Sequence, residues 1–574
     1  MEQIILASHG KTNWSIVVPA DASPSQRHAA EELYRFLFEI SGARLHIRQE
    51  SEAKGEWEIY VGACALVQAL DPSLDIPSLG KEGFVIQTYE KAIVIAGGRE
   101  RGTLYGVYSF LETYLGCRWF TQEVSRIPRR DTVAIGAIRE RQVPVLEQRD
   151  TYFGATEDGD WYARNKVNGH SCHLDDIHGG RLEYEGFVHT FYKLVPPEEY
   201  FDEHPEYFSL VDGKRIREKG QLCLTNPDVL NIVVEKIKDW LRKNPKASIV
   251  SVSQNDCYNP CQCEHCRQID EREGTFAGSL LTFVNKVAEA IEPEFPDVAI
   301  DTLAYQYARK PPKTLKARHN VIIRLCSIEC CFAHPLEECD YIAACGNRLG
   351  TSNSFVEDIR RWGEISDRLY IWDYVVNFDN FLQPFPNFNV LQPNIQFFVK
   401  HHVKGLFEEG NYTPGGFVEL GELRQYVLAK LMWDPNCNVR RHIREFMAGV
   451  YGMAGAALLD YFDLLHEQVA APDTHLGIYD EPTAAYLSEE FMLRAQELFD
   501  EACRLADTPQ ILERVKKAEL SLEFVRLARM PLEAQGRVQA VEEFFQKVEH
   551  FGIARIREWY PWEVSREKML KGEL

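Results

Sequence analysis

The spacing of apolar residues changes character twice along the chain and so marks three regions. Up to about residue 140, helix-like and strand-like patterns alternate. In His28–Ser41, Leu33, Phe36, Leu37 and Ile40 recur at steps of three and four, which puts them on one helical face. Gly42 then suits the left-handed turn that ends such a helix. Glu58–Gly62 and Ala92–Ala96 are apolar runs of strand length, and Thr103–Leu115 before Gly116 reads as a second helix. Arg129–Arg141 is charged at both ends and carries no sustained period, so a first domain is expected over 1–140.

From 141 to 425 the pattern becomes a repeat of short apolar run, polar loop and helical stretch. Eight strands are predicted: Leu146–Tyr152, Val167–His173, Gly220–Leu224, Ile249–Ser253, Val298–Ala304, Val321–Ser327, Leu369–Tyr374 and Val403–Phe407. Helices such as Val229–Leu241 and Ser279–Ile291 lie between them. Strand–helix alternation of this length predicts a parallel sheet closed as a (β/α)8 TIM barrel. Beyond 425 strand signals cease. Leu423–Met432, Val439–Tyr451, Ala456–Val469, Ala484–Ala506, Thr508–Arg529 and Pro531–Phe551 read as consecutive helices, giving a C-terminal helical domain over 426–574. The fold class expected is α/β.

Charge and thiol content narrow the function. A net charge of −22 excludes a phosphate-backbone binder, which needs a basic face. No apolar run approaches the ~20 residues that span a bilayer. The first residues lack a basic segment followed by a sustained apolar one, and 15 cysteines is an odd number. Both features point to reduced thiols in a cytoplasm. Neither nucleic acid nor membrane is expected as a partner; a homodimer is compatible with the sequence.

In barrels of this kind, functional side chains stand at the C-terminal ends of the strands. Those ends carry Asn255 and Asp256, Tyr305, Glu329, Trp372, Asp373 and Tyr374, and Glu408, Glu409, Asn411 and Tyr412. Glycoside hydrolysis needs this mixture: a protonated carboxyl for the leaving oxygen, a second group at the cationic centre, and rings against the sugar. Arg164, Asn168 and His170 near the second strand are candidates for sugar hydroxyls. Loop capping is the plainer reading for each.

One cysteine-rich run stands apart. Cys257, Cys261, Cys263 and Cys266 have a spacing that can hold zinc. Thiols packing a tight loop is the simpler account, so neither a metal nor any other cofactor is expected.

The stretches SVSQNDCYNPCQCEHC, VIIRLCSIECCFAHPLEECD and GLFEEGNYTPGGFVELGELRQYVLAKLMWDP resemble the family known as domain of unknown function 4838, some members of which are placed among the family 163 β-N-acetylglucosaminidases. The run GGRERGTLYGVYSFLETYLGCRWF resembles the non-catalytic domain that precedes the barrel in hexosaminidases and α-glucuronidases. The resemblance implies a retaining glycosidase acting on an oligosaccharide, with the substrate's own acetamido group as nucleophile. Asn255 or Asp256 would orient that group, and Asp373 and Tyr374 would steady it. Glu329, then Glu408, would protonate the leaving oxygen. Glu408 is preferred to Glu409 because the family pattern has Gln at the latter. Two other readings remain: a glucuronidase, with Arg164, Arg309 or Arg324 pairing with the uronate, and a glycan-binding protein without turnover.

Overall fold

The computed structural model describes residues 3–341 and 354–573. Its first sheet has six strands in the order Arg139–Gln142, Phe84–Thr88, Ala92–Gly97, Glu58–Val61, Ser15–Val18 and His46–Gln49. The first two pairings are antiparallel and the last three parallel. Helix Pro24–Ser41 buries Leu33, Phe36, Leu37 and Ile40 as its periodicity demands, and Gly42 closes it at φ 72°. It packs beside helix Gly102–Thr113 in a core separate from that of the following residues. The stretch read as irregular is not: Thr132–Ile135 pairs with Ile4–Ser8, and Arg139–Gln142 forms the edge of the sheet. Arg139–Gln142 is wholly polar and has no apolar period to read, and Thr132–Ile135 buries only Val133 and Ile135, too short an alternation to stand out.

The second sheet is parallel and curled. Its strands are β1 (Gln148–Tyr152), β2 (Tyr184–Glu185), β3 (Ile249–Ser251), β4 (Ala299–Ala304), β5 (Val321–Cys326), β6 (Leu369–Tyr374) and β7 (Val403–Glu409). Their order is β1-β7-β6-β5-β4-β3-β2. Among the described residues this is a seven-stranded sheet, not the eight strands expected. Gly220–Leu224 makes only a single bridge, Phe208 to Leu222. Val167–His173 is not a strand; β2 lies eleven residues beyond its end, at Tyr184. Irregular backbone spans the gap between the edges: Asn168 and Gly169 N–H both donate to Arg149 O at 3.0 Å, and Leu182 N–H donates to Asn168 O at 2.8 Å. Gly169 is required there, because a Cβ would lie 2.0 Å from Cγ of Asp150.

The helix after β7, Gly421–Trp433, belongs to this sheet. Gln425 bonds Thr151 and Thr156, and Arg424 bonds Asn387. A domain boundary at 425 therefore cuts through a helix. The C-terminal helices Val439–Tyr451, Gly455–Glu467, Glu489–Leu505, Pro509–Arg529 and Arg537–His550 share one continuous apolar core with the sheet and its helices. No described helix is long and apolar enough to cross a membrane.

Candidate active site

Strand alternation decides which side chains enter the curl. Arg324 in β5 lies inside: its Nε bonds Asp301 Oδ2 at 3.1 Å, one Nη bonds Gln148, and the guanidinium sits over Phe187, Tyr370 and Phe407. Above it His170 Nδ1 lies 2.8 Å from Asp150 Oδ2 and its ring stacks on Phe187 at 3.7 Å. Phe187 stacks on Trp372, whose ring meets Phe407 edge-on at 4.6 Å. These charged and aromatic layers plug the interior.

Phe407 faces inward, so Glu409, two residues on, faces inward too, and Glu408 faces outward. The contacts agree. Trp372 Nε1 donates to Glu409 Oε2 at 2.7 Å. Tyr152 and Tyr374 flank Glu409 in the strand register. Burial pushes the Glu409 carboxyl up to about 8; the Trp372 bond opposes this, and the charges of Glu558 and Asp256 add to it. Glu409 is thus a largely protonated acid at neutral pH.

Around it stand groups from six segments. Asp256, on the exposed loop after β3, accepts from Tyr305 Oη at 3.3 Å. Tyr412 stacks on Tyr152 with centroids 5.3 Å apart and donates to Glu558 at 3.1 Å. The Glu558 carboxyl is also pushed up, first by burial and then by Asp256 and Asp379. His189 meets Tyr305 ring to ring at 6.3 Å. The arrangement can deliver a proton from one carboxyl while others face it, beside aromatic surfaces.

Of the residues expected from sequence, Asp256, Tyr305, Trp372, Tyr374 and Tyr412 converge here. The others are engaged elsewhere. Glu408 is buried on the outer face beside Asp373, and neither of its oxygens meets a hydrogen-bond donor among the described residues. Burial and the neighbouring Asp373 hold it well above the usual carboxylate range. Asp373 accepts from Ser327 Oγ at 2.5 Å, and burial pushes it up to about 6. Glu329 is ion-paired with the buried Arg309, which also holds Asp358 at 2.7 Å. Asn255 has both amide atoms committed, Nδ2 to Gly220 O and Oδ1 to Tyr192 N–H. Asn168 ties Glu82 to the backbone of Arg149 and Glu147. Arg164 pairs with Glu32 and Asp160. His170 is plugged inside, and Asn411 is buried, its backbone O accepting from Gly154 N–H while its side-chain Oδ1 meets no donor among the described residues. Arg164, Arg309 and Arg324 are therefore all spent on internal carboxylates.

Glu558 is not legible in the sequence. It follows the last long helix, in a segment whose Trp559, Tyr560 and Pro561 signal only a loop. Glu409 is within reach of the period-two rule, since Phe407 is an inward apolar residue. The thiol set also differs from its spacing. Cys223 replaces Cys257: the sulfurs of Cys223, Cys261, Cys263 and Cys266 lie within 4.8 Å of one another, while Cys257 Sγ faces Gly220 O.

A cleft of 1450 Å³ lies at the opposite end of the sheet, lined by Glu147, Lys246, Ser248, Asp297 and Arg368 from the starts of the strands. Its cations are paired with carboxylates, Arg368 with Glu147 at 2.8 Å and Lys246 with Asp176 at 3.3 Å, and it lies at the strand ends opposite Glu409.

Residues 6–110 match the Glycosyl hydrolase family 67 N-terminus. Two curated proteins, Probable alpha-glucuronidase A of Aspergillus oryzae and of Aspergillus flavus, are each 34% identical over 83 residues, which is 14% of this chain and 10% of theirs. The chain thus spans about a tenth of the length of the curated relatives it matches. Among solved structures, a family GH115 4-O-methyl-alpha-glucuronidase with specificity for decorated arabinogalactans superimposes with a TM-score of 0.57 at 12% identity, over 96% of this chain and 77% of that one, and so shares its fold. Residues 119–463, more than half of the chain and all seven strands of the curled sheet, match the family described as Domain of unknown function (DUF4838), and the protein is a member of that family.

Proposed function

We propose that the protein is a glycoside hydrolase in which Glu409 is the general acid and the bond cleaved is that of a uronic acid. The single observation that carries the chemistry is a buried carboxyl held at about 8 at the C-terminal end of a strand, facing further carboxylates. An acid of this kind keeps its proton at neutral pH and can give it to a leaving glycosidic oxygen. Asp256 is the partner carboxylate, on the exposed side of the site. Trp372, Tyr152 and Tyr412 supply surfaces for the sugar ring.

The uronic acid rests on the α-glucuronidase likeness of the first domain and on the fold shared with a second α-glucuronidase. Arg555 and Arg557 stand in the same segment as Glu558: Arg555 Nη1 bonds the backbone O of Glu558 rather than a carboxylate and is the cation on that side that can meet a uronate, while Arg557 is paired with Asp379. The acetamido-assisted reading loses support because the Asn255 amide is held by Gly220 O and Tyr192 N–H, which fixes it on the backbone beside β3 rather than toward Glu409.

Aryl α-glucuronide, aryl β-glucuronide and aryl β-N-acetylglucosaminide, offered to wild type and to Glu409→Gln, separate these readings. Turnover of a glucuronide that is lost in the variant is expected. Turnover of the N-acetylglucosaminide alone would replace the substrate, and turnover indifferent to Glu409 would remove the acid.

A further inference from the structure

Two clusters of soft ligands stand outside the site. In the first, Cys223 comes from the segment after the hairpin Leu210–Val211/Lys214–Arg215, Cys261 and Cys263 from the loop after β3, and Cys266 from the first turn of the helix Glu264–Glu273 that follows it. Their four sulfurs lie within 4.8 Å of one another, and Cys223 and Cys263 are 3.7 Å apart. That is far beyond the ~2.05 Å of a disulfide. Four sulfurs at ~2.3 Å from a tetrahedral zinc sit about 3.8 Å from each other. Cys223, Cys261 and Cys266 are well buried, and Cys263 is 9% exposed. Donors already address the sulfurs: Leu210 N–H reaches Cys261 Sγ at 3.4 Å and Arg215 Nη1 reaches it at 3.6 Å. Such outer donors stabilise the charge of a zinc-bound thiolate.

The second cluster joins the loop after β5 to the C-terminal region. Cys331 Sγ lies 3.6 Å from His334 Nδ1, and Cys339 Sγ lies 3.7 Å from His475 Nδ1, all four ligand atoms within 4.8 Å. A tetrahedral zinc with two sulfurs and two imidazole nitrogens places S and N about 3.6 Å apart. His334 Nε2 bonds Ala471 O at 3.1 Å, which puts the ring proton there and leaves Nδ1 with its lone pair toward the cluster. His475 is held by stacking on Tyr341 at 4.0 Å.

We propose that the protein binds two structural zinc ions, one in the Cys223/Cys261/Cys263/Cys266 site and one in the Cys331/His334/Cys339/His475 site. Both are closed sets of four protein ligands, the pattern of a structural rather than a catalytic zinc. On binding, the thiols give up their protons to solvent and no redox step is needed.

Each ion would staple a segment that reaches the mouth of the sheet. Next to Cys223, Gln221 Nε2 donates to the carbonyls of Asn255, Cys257 and Tyr258, and its Oε1 accepts from Asn255 N–H. The four-cysteine site thereby fixes the loop that carries Asp256. Beyond His475, Ile478 O accepts from Phe378 N–H and Asp480 O from Asn377 Nδ2, which anchors this segment to the loop after β6.

The test is metal content, independent of any activity. Full-length protein expressed with zinc supplementation and purified without chelator is measured by inductively coupled plasma mass spectrometry. Two zinc per chain are expected, falling to one in Cys223→Ser and to one in His475→Ala, with Cys257→Ser unchanged at two. Cobalt exchanged into wild type reports the same sites without any variant: thiolate-to-cobalt charge-transfer bands and the ligand-field bands of tetrahedral cobalt are expected. One zinc per chain, lost in only one of the two variants, would overturn the other site. No zinc in wild type and no such bands would overturn both, and loss of metal in Cys257→Ser equal to that in Cys223→Ser would overturn the four-cysteine site.

Discussion

Replacing Glu409 by Gln keeps the shape and the hydrogen bond from Trp372 Nε1 but removes the transferable proton. With its carboxyl at about 8, ~90% of Glu409 is protonated at pH 7, against ~0.3% at the ordinary 4.5. An aligned general acid contributes ~10²–10⁴-fold, and that is the loss expected in kcat/KM. The wild-type profile should fall on its alkaline limb near pH 8, and that limb should vanish in E409Q. Stability moves the other way. Between pH 4.5 and about 8 the unfolded chain holds an ionised Glu409 and the folded chain a protonated one. The wild type therefore loses stability across that window as pH rises, and glutamine does not. At the top of the window E409Q should exceed wild type by up to about 5 kcal/mol, with no gain below pH 4.5. Initial rates on an aryl glycoside and urea denaturation, each run across pH, read both effects. A variant that is slow because it is misfolded would lose stability at every pH. A variant that keeps most of the wild-type rate would refute the assignment.

The same geometry fixes three further outcomes. Glu408→Gln should leave kcat/KM close to wild type, because that side chain faces away from the site; thermal denaturation should show it gaining on wild type as pH rises above 4.5, since the folded carboxyl stays protonated while the unfolded one ionises. Glu329→Gln leaves Arg309 with an incomplete set of buried counter-charges and should cost about 3–5 kcal/mol in urea denaturation. Trp372→Phe removes a bond that favours the ionised form of Glu409, so the alkaline limb of the rate profile should move to higher pH.

Much of this fold was legible in the pattern of apolar residues because burial writes its period directly. Helix Val439–Tyr451 lies where its periodicity puts it, and β4 to β7 coincide with apolar runs flanked by loops. The failures share a cause. β2 is two residues of tyrosine and glutamate, and its pairing with Ile249 and Val250 is imposed by the neighbour rather than by its own composition. Gly220–Leu224 is apolar enough for a strand, yet Gln221 and Cys223 are drawn to the loop after β3. At the site, residue type located the correct strand ends but not the face. Glu408 and Glu409 are adjacent acids, and only the inward placement of Phe407 decides between them. Glu329 and Arg309 are twenty residues apart, so their ion pair is a product of the β4–β5 pairing. Long-range partners such as Glu558 leave no local trace at all.

The most direct test of the central claim is the protonation state of Glu409 itself. Infrared difference spectra of wild type minus Glu409→Gln, recorded across the neutral and alkaline range, isolate the carbonyl band of that one carboxylic acid. The account predicts a protonated carboxyl band present at neutral pH that disappears with a midpoint near 8. A carboxylate signal already present at neutral pH, titrating near 4.5, would contradict it.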